Sequence, residues 1–426
     1  MRHLELLLVV LCLAGCTVLS PSERHRAYTR HLAATVCPSD SSAHIVTAKV
    51  PGHPFQALAS RRGRWVFVSL MPSTPKPKFG AAAGGIGVMQ WTGSQLLLRR
   101  VVPLVSIPAG MALAPDGHLL VVAAGRYVDF IDVSRLVSGA ADPILGSIRD
   151  AAAPGSVYVA ISPDDRTLFV SDERNSSVTV IDLQRARHTG FHQDAILGDI
   201  STGDAPVGLA VSRDGHHLFV TSELWFRGHD WPMDCRLPSG IGPGGPVGAG
   251  AVQVVDIARA RHRPMDSVIS RAPAGCSPVR AVLSPDGARL YVTARASNAV
   301  LVFDSARLLT DPARALVATV PVGTAPVGIA VVQHGRRIVV ADSSRFGGRE
   351  GQDLSVIDVS KIGHGRAAVV GTIPVGVFPR ELHGLPDGRG LLLTDAGSDQ
   401  VELLPSACFG GADRPPDALW PRSPPH

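Results

Sequence analysis

The feature that most constrains the fold is a phrase that recurs along this chain of 426 residues. The stretch "APVGLAVSRDGHHLFVTS" (205 to 222) returns as "SPVRAVLSPDGARLYVTA" (277 to 294) and as "APVGIAVVQHGRRIVVAD" (325 to 342). A phrase that repeats at long, similar intervals specifies a repeated unit of structure and not a single site. The number of copies therefore determines the fold.

Each copy has an apolar segment, a turn of the Pro-Asp-Gly kind and a second apolar segment. A third segment ends in Asp, as in "VTVID" (178 to 182), and a fourth follows, as in "ALVATVPVG" (315 to 323). Segments of this composition predict four strands per unit. Aligning the glycine position of the turn gives seven copies, at Gly63, Gly117, Asp165, Gly215, Gly287, Gly335 and Gly388. Successive positions are 48 to 54 residues apart, except that Gly215 and Gly287 are 72 apart because of the long segment after Ser222.

A lone four-stranded unit would expose an apolar face, so the units must pack against one another, and radial packing of such sheets is the β-propeller. We therefore predict an all-β fold, a seven-bladed β-propeller of four-stranded antiparallel blades. The composition agrees, because 44 Gly and 34 Pro with only 18% charged residues suit short strands and many turns.

The phrase "PVGxAVSPDGxxLYV" and the strand "VxVID" resemble the YVTN-type propeller repeat, whose fold is shared by lactonase-like propellers. The resemblance covers residues 44 to 405. It implies the fold, and it implies little about function because one scaffold hosts many activities.

Ring closure is predicted from the two ends of this repeat region. The last copy has no fourth strand before the Pro-rich tail, residues 406 to 426, whereas "HIVTAKVPG" (44 to 52) matches the fourth-strand phrase. We predict that this N-terminal strand completes the seventh blade and removes an open sheet edge. Cys37 precedes the strand and Cys408 follows its expected neighbour, so we expect a disulfide that locks the ring.

A second disulfide is expected between Cys235, in a long insertion of blade 4, and Cys276, in the adjacent loop that leads into blade 5. Four cysteines allow three pairings, and the choice between them comes from the predicted architecture. Disulfides of this kind are typical of exported proteins. No CxxC spacing is present, so we predict no metal site at these cysteines.

The first sixteen residues, "MRHLELLLVVLCLAGC", have a basic start, a short apolar core and small residues before a cysteine. This is the plan of a secretory signal, and its end resembles the bacterial lipobox, which implies lipidation of Cys16. The alternatives are an ordinary signal peptide cleaved nearby and a core strand. Residues 17 to 43 are expected to form a flexible tether. Thr17 carries no inner-membrane retention signal, so we expect the periplasmic face of an outer membrane or the cell surface.

The formal charge of +5 comes from arginines spread along the chain. Nucleic-acid binding normally requires a clustered basic face, so we predict no nucleic-acid partner and a membrane contact through the lipid anchor alone. No dinucleotide, phosphate-loop, zinc or nucleophile-elbow motif is present, so we predict no cofactor.

Long loops between second and third strands occur in three blades, and all three emerge on one face of a propeller. They span residues 71 to 85 in blade 1, 223 to 250 in blade 4 and 343 to 353 in blade 6. Elaborated loops on a rigid scaffold often carry binding sites, so we predict a binding face there. Its aromatic anchors, or else a small satellite core, would be Trp225, Phe226 and Trp231.

The glycine of the "PVG" phrase should lie where the first strand of each blade enters the axial channel. Four copies replace it with Gln56, Tyr158, Arg280 and Glu381, and Arg380 adds charge. We expect these side chains to bind a ligand at the channel mouth; the alternative is that Arg280 and Glu381 only pair with each other.

The function we predict is non-enzymatic binding of a small polar ligand, a glycan or a protein partner. The alternative implied by the resemblance is a lactonase-like hydrolase with an axial active site. Glu381 would then be the acid or base, Arg280 or Arg380 would stabilise the oxyanion, and His383 would assist. Three aligned aspartates at the ends of second strands favour Asx turns over calcium ligands; they are Asp172, Asp342 and Asp395.

The lipidation prediction is testable by a single substitution. We expect Cys16→Ser to move the protein from the detergent phase to the aqueous phase in a Triton X-114 partition of expressing cells. Cys12→Ser, in the same apolar segment, should leave the partition unchanged. Retention of the Cys16→Ser variant in the detergent phase would contradict lipid anchoring at this residue.

Overall fold

The structure is a computed structural model, and it describes residues 37, 44–73, 84–225, 234–235, 247–345 and 352–410. These residues form seven four-stranded antiparallel sheets. The first strand of each sheet packs against the first strands of the sheets on either side, so the sheets close into a ring. The predicted seven-bladed propeller is confirmed.

Each blade is a meander of four strands. In blades 1 to 3 they are His53–Ala59, Trp65–Met71, Gly84–Trp91 and Leu96–Leu104; Pro108–Leu113, Leu119–Ala124, Tyr127–Asp132 and Ile144–Arg149; Ser156–Ile161, Thr167–Asp172, Ser177–Asp182 and Ile196–Ser201. In blades 4 and 5 they are Asp204–Val211, His217–Leu224, Ala251–Asp256 and Val268–Pro273; Pro278–Leu283, Arg289–Ala294, Ala299–Asp304 and Leu316–Pro321. In blades 6 and 7 they are Pro326–Val332, Arg337–Asp342, Asp353–Asp358 and Val369–Pro374; Pro379–Gly384, Gly390–Asp395, Gln400–Pro405 and Val46–Lys49.

The N-terminal strand closes the ring as predicted. Val46 pairs with Leu403 and Lys49 with Gln400 in an antiparallel ladder. The Lys49 Nζ also donates a hydrogen bond of 2.7 Å to the Ser398 carbonyl. The edge of blade 7 is thereby covered, so the sheet is protected from pairing with another chain.

The hydrophobic core lies between neighbouring blades. Phe67 of blade 1 packs with Leu120 of blade 2, and Phe130 of blade 2 packs with Val170 of blade 3. Both faces of the second and third strands are covered in this way, which is why those segments are almost continuously apolar. Phe409 is fully buried beyond the last strand, so the packed body of blade 7 continues past residue 405.

The turn alignment is supported by the backbone. All seven aligned turn residues have φ between 58° and 90°, the left-handed region that glycine adopts without steric cost. Blade 3 uses Asp165 there, and its carboxylate accepts a hydrogen bond of 2.5 Å from Arg187 Nη1. The repeat identified in the sequence is therefore also a repeat of backbone conformation.

Short helices join the third and fourth strands, and the sequence did not predict them. The terminal Asp of the "VxVID" strand caps each one; Asp182, for example, accepts a hydrogen bond of 2.9 Å from the Arg185 amide. The α-helices are α1 (Val133–Ser138), α2 (Leu183–Thr189), α3 (Ile257–Ala260) and α4 (Ser305–Thr310). The 3-10 segments are Gln193–Ala195, Pro264–Asp266, Arg295–Ser297, Pro312–Arg314, Gln333–Gly335, Val359–Ala368 and Ser406–Phe409. No helix of the described residues is long and apolar enough to cross a membrane.

Both predicted disulfides are present. Cys37 is bonded to Cys408 across a sequence separation of 371 residues, and Cys235 to Cys276 across 41. The first ties the chain ahead of the N-terminal strand to blade 7. The second ties the blade 4 insertion to the loop that leads into blade 5.

The two disulfides should differ in their effect on stability. A bond across a longer loop constrains the unfolded chain more, so Cys37→Ala with Cys408→Ala should lower the free energy of unfolding by about 2 kcal/mol more than Cys235→Ala with Cys276→Ala. Urea unfolding of the two double variants measures the difference. A larger loss in the second variant would mean that blade 4 and not ring closure limits stability.

Candidate functional site

The axis of the propeller is filled by an alternation of large residues and glycine. Blades 2, 4 and 6 carry Gly110, Gly208 and Gly328 at the aligned axial position, and the other blades carry long side chains. A Cβ atom on Gly110 would lie 2.6 Å from the Val157 carbonyl oxygen, and one on Gly328 would lie 2.6 Å from that of Arg380. Each glycine therefore admits the backbone of the next blade, which carries a long side chain.

Buried hydroxyls tie neighbouring blades together just behind the axial position. Ser171, Thr293 and Thr394 donate hydrogen bonds of 3.1, 2.8 and 3.1 Å to first-strand carbonyls of the following blade. The last of these carbonyls belongs to Phe55, so this bond joins blade 7 to blade 1. A Ser or Thr near the end of the second strand was visible in the sequence, but its role depends on the blade-to-blade geometry.

Three of the predicted axial residues meet in one buried cluster. Tyr158, Arg280 and Glu381 are only 6 to 7% exposed. Arg280 Nε donates hydrogen bonds of 3.0 and 3.1 Å to the two Glu381 carboxylate oxygens. Arg280 Nη2 and the Tyr158 hydroxyl also contact Glu381 Oε1 and each other. The pairing of Arg280 with Glu381, the alternative considered from the sequence, is thus present.

Burial and pairing act in opposite directions on Arg280. Loss of hydration lowers the pKa of its guanidinium to about 10, while the charge of Glu381 raises it. The guanidinium is therefore still charged at neutral pH, and its centre lies 3.8 Å from the Tyr158 ring centroid in a cation–π contact. The charges of Arg280 and Glu381 therefore neutralise each other. We call the cluster of Tyr158, Arg280 and Glu381 the floor.

Arg380 lies beside this floor, and its surroundings differ from those of Arg280. Its guanidinium carbon is 3.8 Å from the Phe55 ring centroid and 5.7 Å from that of Phe378. Its Nε is buried without a hydrogen-bond partner among the described residues. Burial lowers the pKa of Arg380, and the charges of Glu381 and Glu173 raise it. The other blades have small apolar or aromatic residues at this position: Phe55, Ala109, Val157, Val207, Val279 and Val327.

A second group of charged residues, the upper layer, lies at the ends of the second strands. Arg295 Nη2 donates hydrogen bonds of 2.5 Å to Glu223 Oε2 and 3.0 Å to Ser277 Oγ. Glu173, the aligned residue of blade 3, is exposed, and its carboxylate forms no hydrogen bond or ion pair with another described residue. Partial loss of hydration and the charge of Glu223 raise the pKa of Glu173, and the charges of Arg380, Arg345 and Arg295 lower it.

We call the floor, Arg380 with Phe55, and these charged residues together the axial bowl. It comprises Phe55, Tyr158, Glu173, Glu223, Arg280, Arg295, Arg345, Arg380 and Glu381. The sequence singled out only the floor and Arg380. The upper layer was missed because its residue types differ from blade to blade. Aligning the residues that follow Asp172, Ser222 and Ala294 would have found Glu173, Glu223 and Arg295.

The other predicted site residues lie apart from the floor cluster. Gln56 Oε1 accepts a hydrogen bond of 2.6 Å from the Met111 amide and so joins blades 1 and 2. His383 is half-buried on the same strand as Glu381, and burial lowers its pKa to about 4, so it is neutral at pH 7. Trp225 is buried at blade 4 beneath Arg271, 5.0 Å from its ring centroid. Phe226, Trp231 and Cys16 lie outside the described residues.

The aligned aspartates serve local structure. Asp172 accepts hydrogen bonds of 2.9 and 3.1 Å from the Arg174 and Asn175 amides, the geometry of an Asx turn. Asp395 is buried, and the Gln400 side-chain amide donates to it at 3.0 Å and to Glu402 at 2.7 Å. Within the described ranges, no group of three or more His, Cys, Asp and Glu side chains could hold a metal ion.

The comparisons with known proteins identify the fold alone. No family profile matches the chain, and no curated protein sequence matches it. Two solved structures are similar: a Kuenenia stuttgartiensis hydrazine synthase (TM-score 0.61, 18% identity, 87% of this chain, 99% of that one) and a chain of a mitotic checkpoint complex (TM-score 0.62, 15% identity, 88% and 98%). Identities this low carry no function across.

The buried carboxyl pair of blade 7 gives a pH prediction. Burial and the charge of Asp395 raise the pKa of Glu402 from 4.5 to about 8, so Glu402 keeps its proton in the folded protein. Between those values the unfolded chain binds fewer protons, and the free energy of unfolding should fall as pH rises.

Glu402→Gln should flatten this decline between pH 5 and pH 8 and stabilise the protein at pH 8. Urea unfolding at four pH values measures it, with Asp266→Asn, at an exposed carboxyl, as the control. A profile of the Glu402→Gln variant parallel to that of the wild type would show that the pair does not hold a proton.

Proposed function

We propose that the protein is an exported, lipid-anchored propeller of the YVTN type that binds a small polar ligand in the axial bowl without catalysing a reaction. The observation that carries the proposal is Arg380. Its charged group is held against Phe55, and its buried Nε has no hydrogen-bond partner among the described residues. Arg380 as a whole is half-buried and forms no ion pair with another described residue, so a ligand anion that reaches its guanidinium gains binding energy.

The arrangement of the floor favours binding over catalysis. Both carboxylate oxygens of Glu381 accept hydrogen bonds from Arg280, which occupies the atoms that a general base would use. His383 has no hydrogen bond to Glu381 or Arg280 among the described contacts. The lactonase-like alternative would need this ion pair to open.

Export is supported by the two disulfides and by the signal-like segment that ends at Cys16. Two disulfides persist only in an oxidising compartment, and the Cys235–Cys276 bond lies on the face that carries the bowl. Lipidation of Cys16 would anchor the protein to a membrane through the segment from 17 to 43. The loops of blades 1, 4 and 6 would form the rim; their central parts lie outside the described residues.

Equilibrium dialysis can test the proposal. The wild type is dialysed against a defined mixture of sugars, sugar acids, amino acids and hydroxy acids, and retained compounds are identified by mass spectrometry. We expect at least one compound to be retained, and expect Arg380→Ala with Glu173→Ala to abolish its retention. Arg389→Ala, at an exposed turn on the opposite face, is the matched control.

Equal retention by all three proteins would place the ligand elsewhere, and no retention of any compound would contradict small-molecule binding. A glycan or protein partner would then be the remaining class. Hydrolysis of a lactone added to the wild type, if it is lost in Glu381→Gln, would instead support the hydrolase.

A further inference from the structure

The axial bowl is not electrically neutral. Four arginines (Arg280, Arg295, Arg345 and Arg380) face three glutamates (Glu173, Glu223 and Glu381), so its formal charge is 4 − 3 = +1. Two ion pairs account for most of it, Arg280 with Glu381 and Arg295 with Glu223. The charged residues outside these two ion pairs are Arg380, Arg345 and Glu173.

We propose that the ligand is a small organic carboxylate that also carries a hydroxyl or ammonium donor. The inference rests on the proposed function and names the chemical class of the ligand. Arg380 would receive the carboxylate, Arg345 would add to the attraction, and Glu173 would accept a hydrogen bond from the donor group.

The geometry of Arg380 suits a carboxylate. The Arg380 guanidinium carbon lies 3.8 Å from the centroid of the Phe55 ring, so the ring covers one side of the guanidinium and restricts its orientation. A guanidinium held in this way presents parallel donors that match the two oxygens of a carboxylate. A rigid donor also loses little conformational entropy on binding.

The position of Arg380 in the repeat strengthens the argument. Five other blades place Val or Ala there, and those side chains fill apolar space at the axis. An arginine at that position gives up apolar packing and adds a half-buried charge, which is unfavourable unless an anion compensates it. Glu381, the nearest candidate in sequence, already accepts from Arg280 with both oxygens. Glu173 has a charge that also raises the pKa of Arg380, but it forms no ion pair with Arg380 among the described residues.

The test compares matched acidic and neutral probes by isothermal titration calorimetry. D-galacturonate is paired with D-galactose, and L-lactate with propane-1,2-diol. We expect at least one acid to bind about 10-fold tighter than its neutral partner, a difference of about 1.4 kcal/mol. Arg380→Gln should remove that preference, Arg380→Lys should restore part of it, and Arg389→Gln should leave it unchanged.

Circular dichroism and the thermal midpoint establish that each variant is folded, and Arg380→Lys provides a charged variant of similar size. Equal affinity for the acidic and neutral members of both pairs, or no binding of either acid, overturns the inference. A preference that survives in Arg380→Gln overturns it as well. The proposed function survives these results if dialysis still retains a neutral compound through the bowl, and it fails if dialysis retains nothing.

Discussion

The close approach of the first strands at the axis is the constraint on which the rest of the structure depends. Gly208 shows it clearly, since a Cβ atom there would lie 2.8 Å from the carbonyl oxygen of Val279 in the next blade. Side chains at all seven axial positions would not fit. Because blades 2, 4 and 6 have none, their neighbours can place Tyr158, Arg280 and Glu381 in one buried cluster, and the packing of the ring thereby determines which charged groups meet.

The devices that close the ring also keep this cluster rigid. The strand Val46–Lys49 completes blade 7, the Cys37–Cys408 bond secures it, and the Thr394 hydroxyl joins blade 7 to blade 1 at Phe55. Phe55 is in turn the ring on which Arg380 lies. A binding group held by a closed ring of strands needs little reorganisation when a ligand arrives, which favours recognition of small molecules.

The fold could be predicted from the sequence because the repeat encodes backbone conformation. Gly63 and Asp165 share a left-handed φ although they differ in residue type, and the turn motif around them shows why they align. The axial side chains were also predictable as a set. Their hydrogen bonds were not predictable. Arg280 and Glu381 are 101 residues apart in the sequence, and only the geometry of the ring brings them together. The helices such as α2 were missed because a segment of 7 residues is too short to show helical periodicity.

The difference between the two axial arginines separates structure from function within one cluster. Arg280 is buried and fully engaged with Glu381 and Tyr158, so it behaves as a structural ion pair whose loss would leave an uncompensated charge. Arg380 precedes Glu381 in blade 7 and breaks the apolar pattern of the repeat at that position. Its Nε has no hydrogen-bond partner among the described residues. Positions that depart from a local rule with no compensation inside the protein are those where a ligand can supply it. The repeat itself therefore provides the reference against which Arg380 stands out, and this is the ground on which we propose the axial bowl as the binding site.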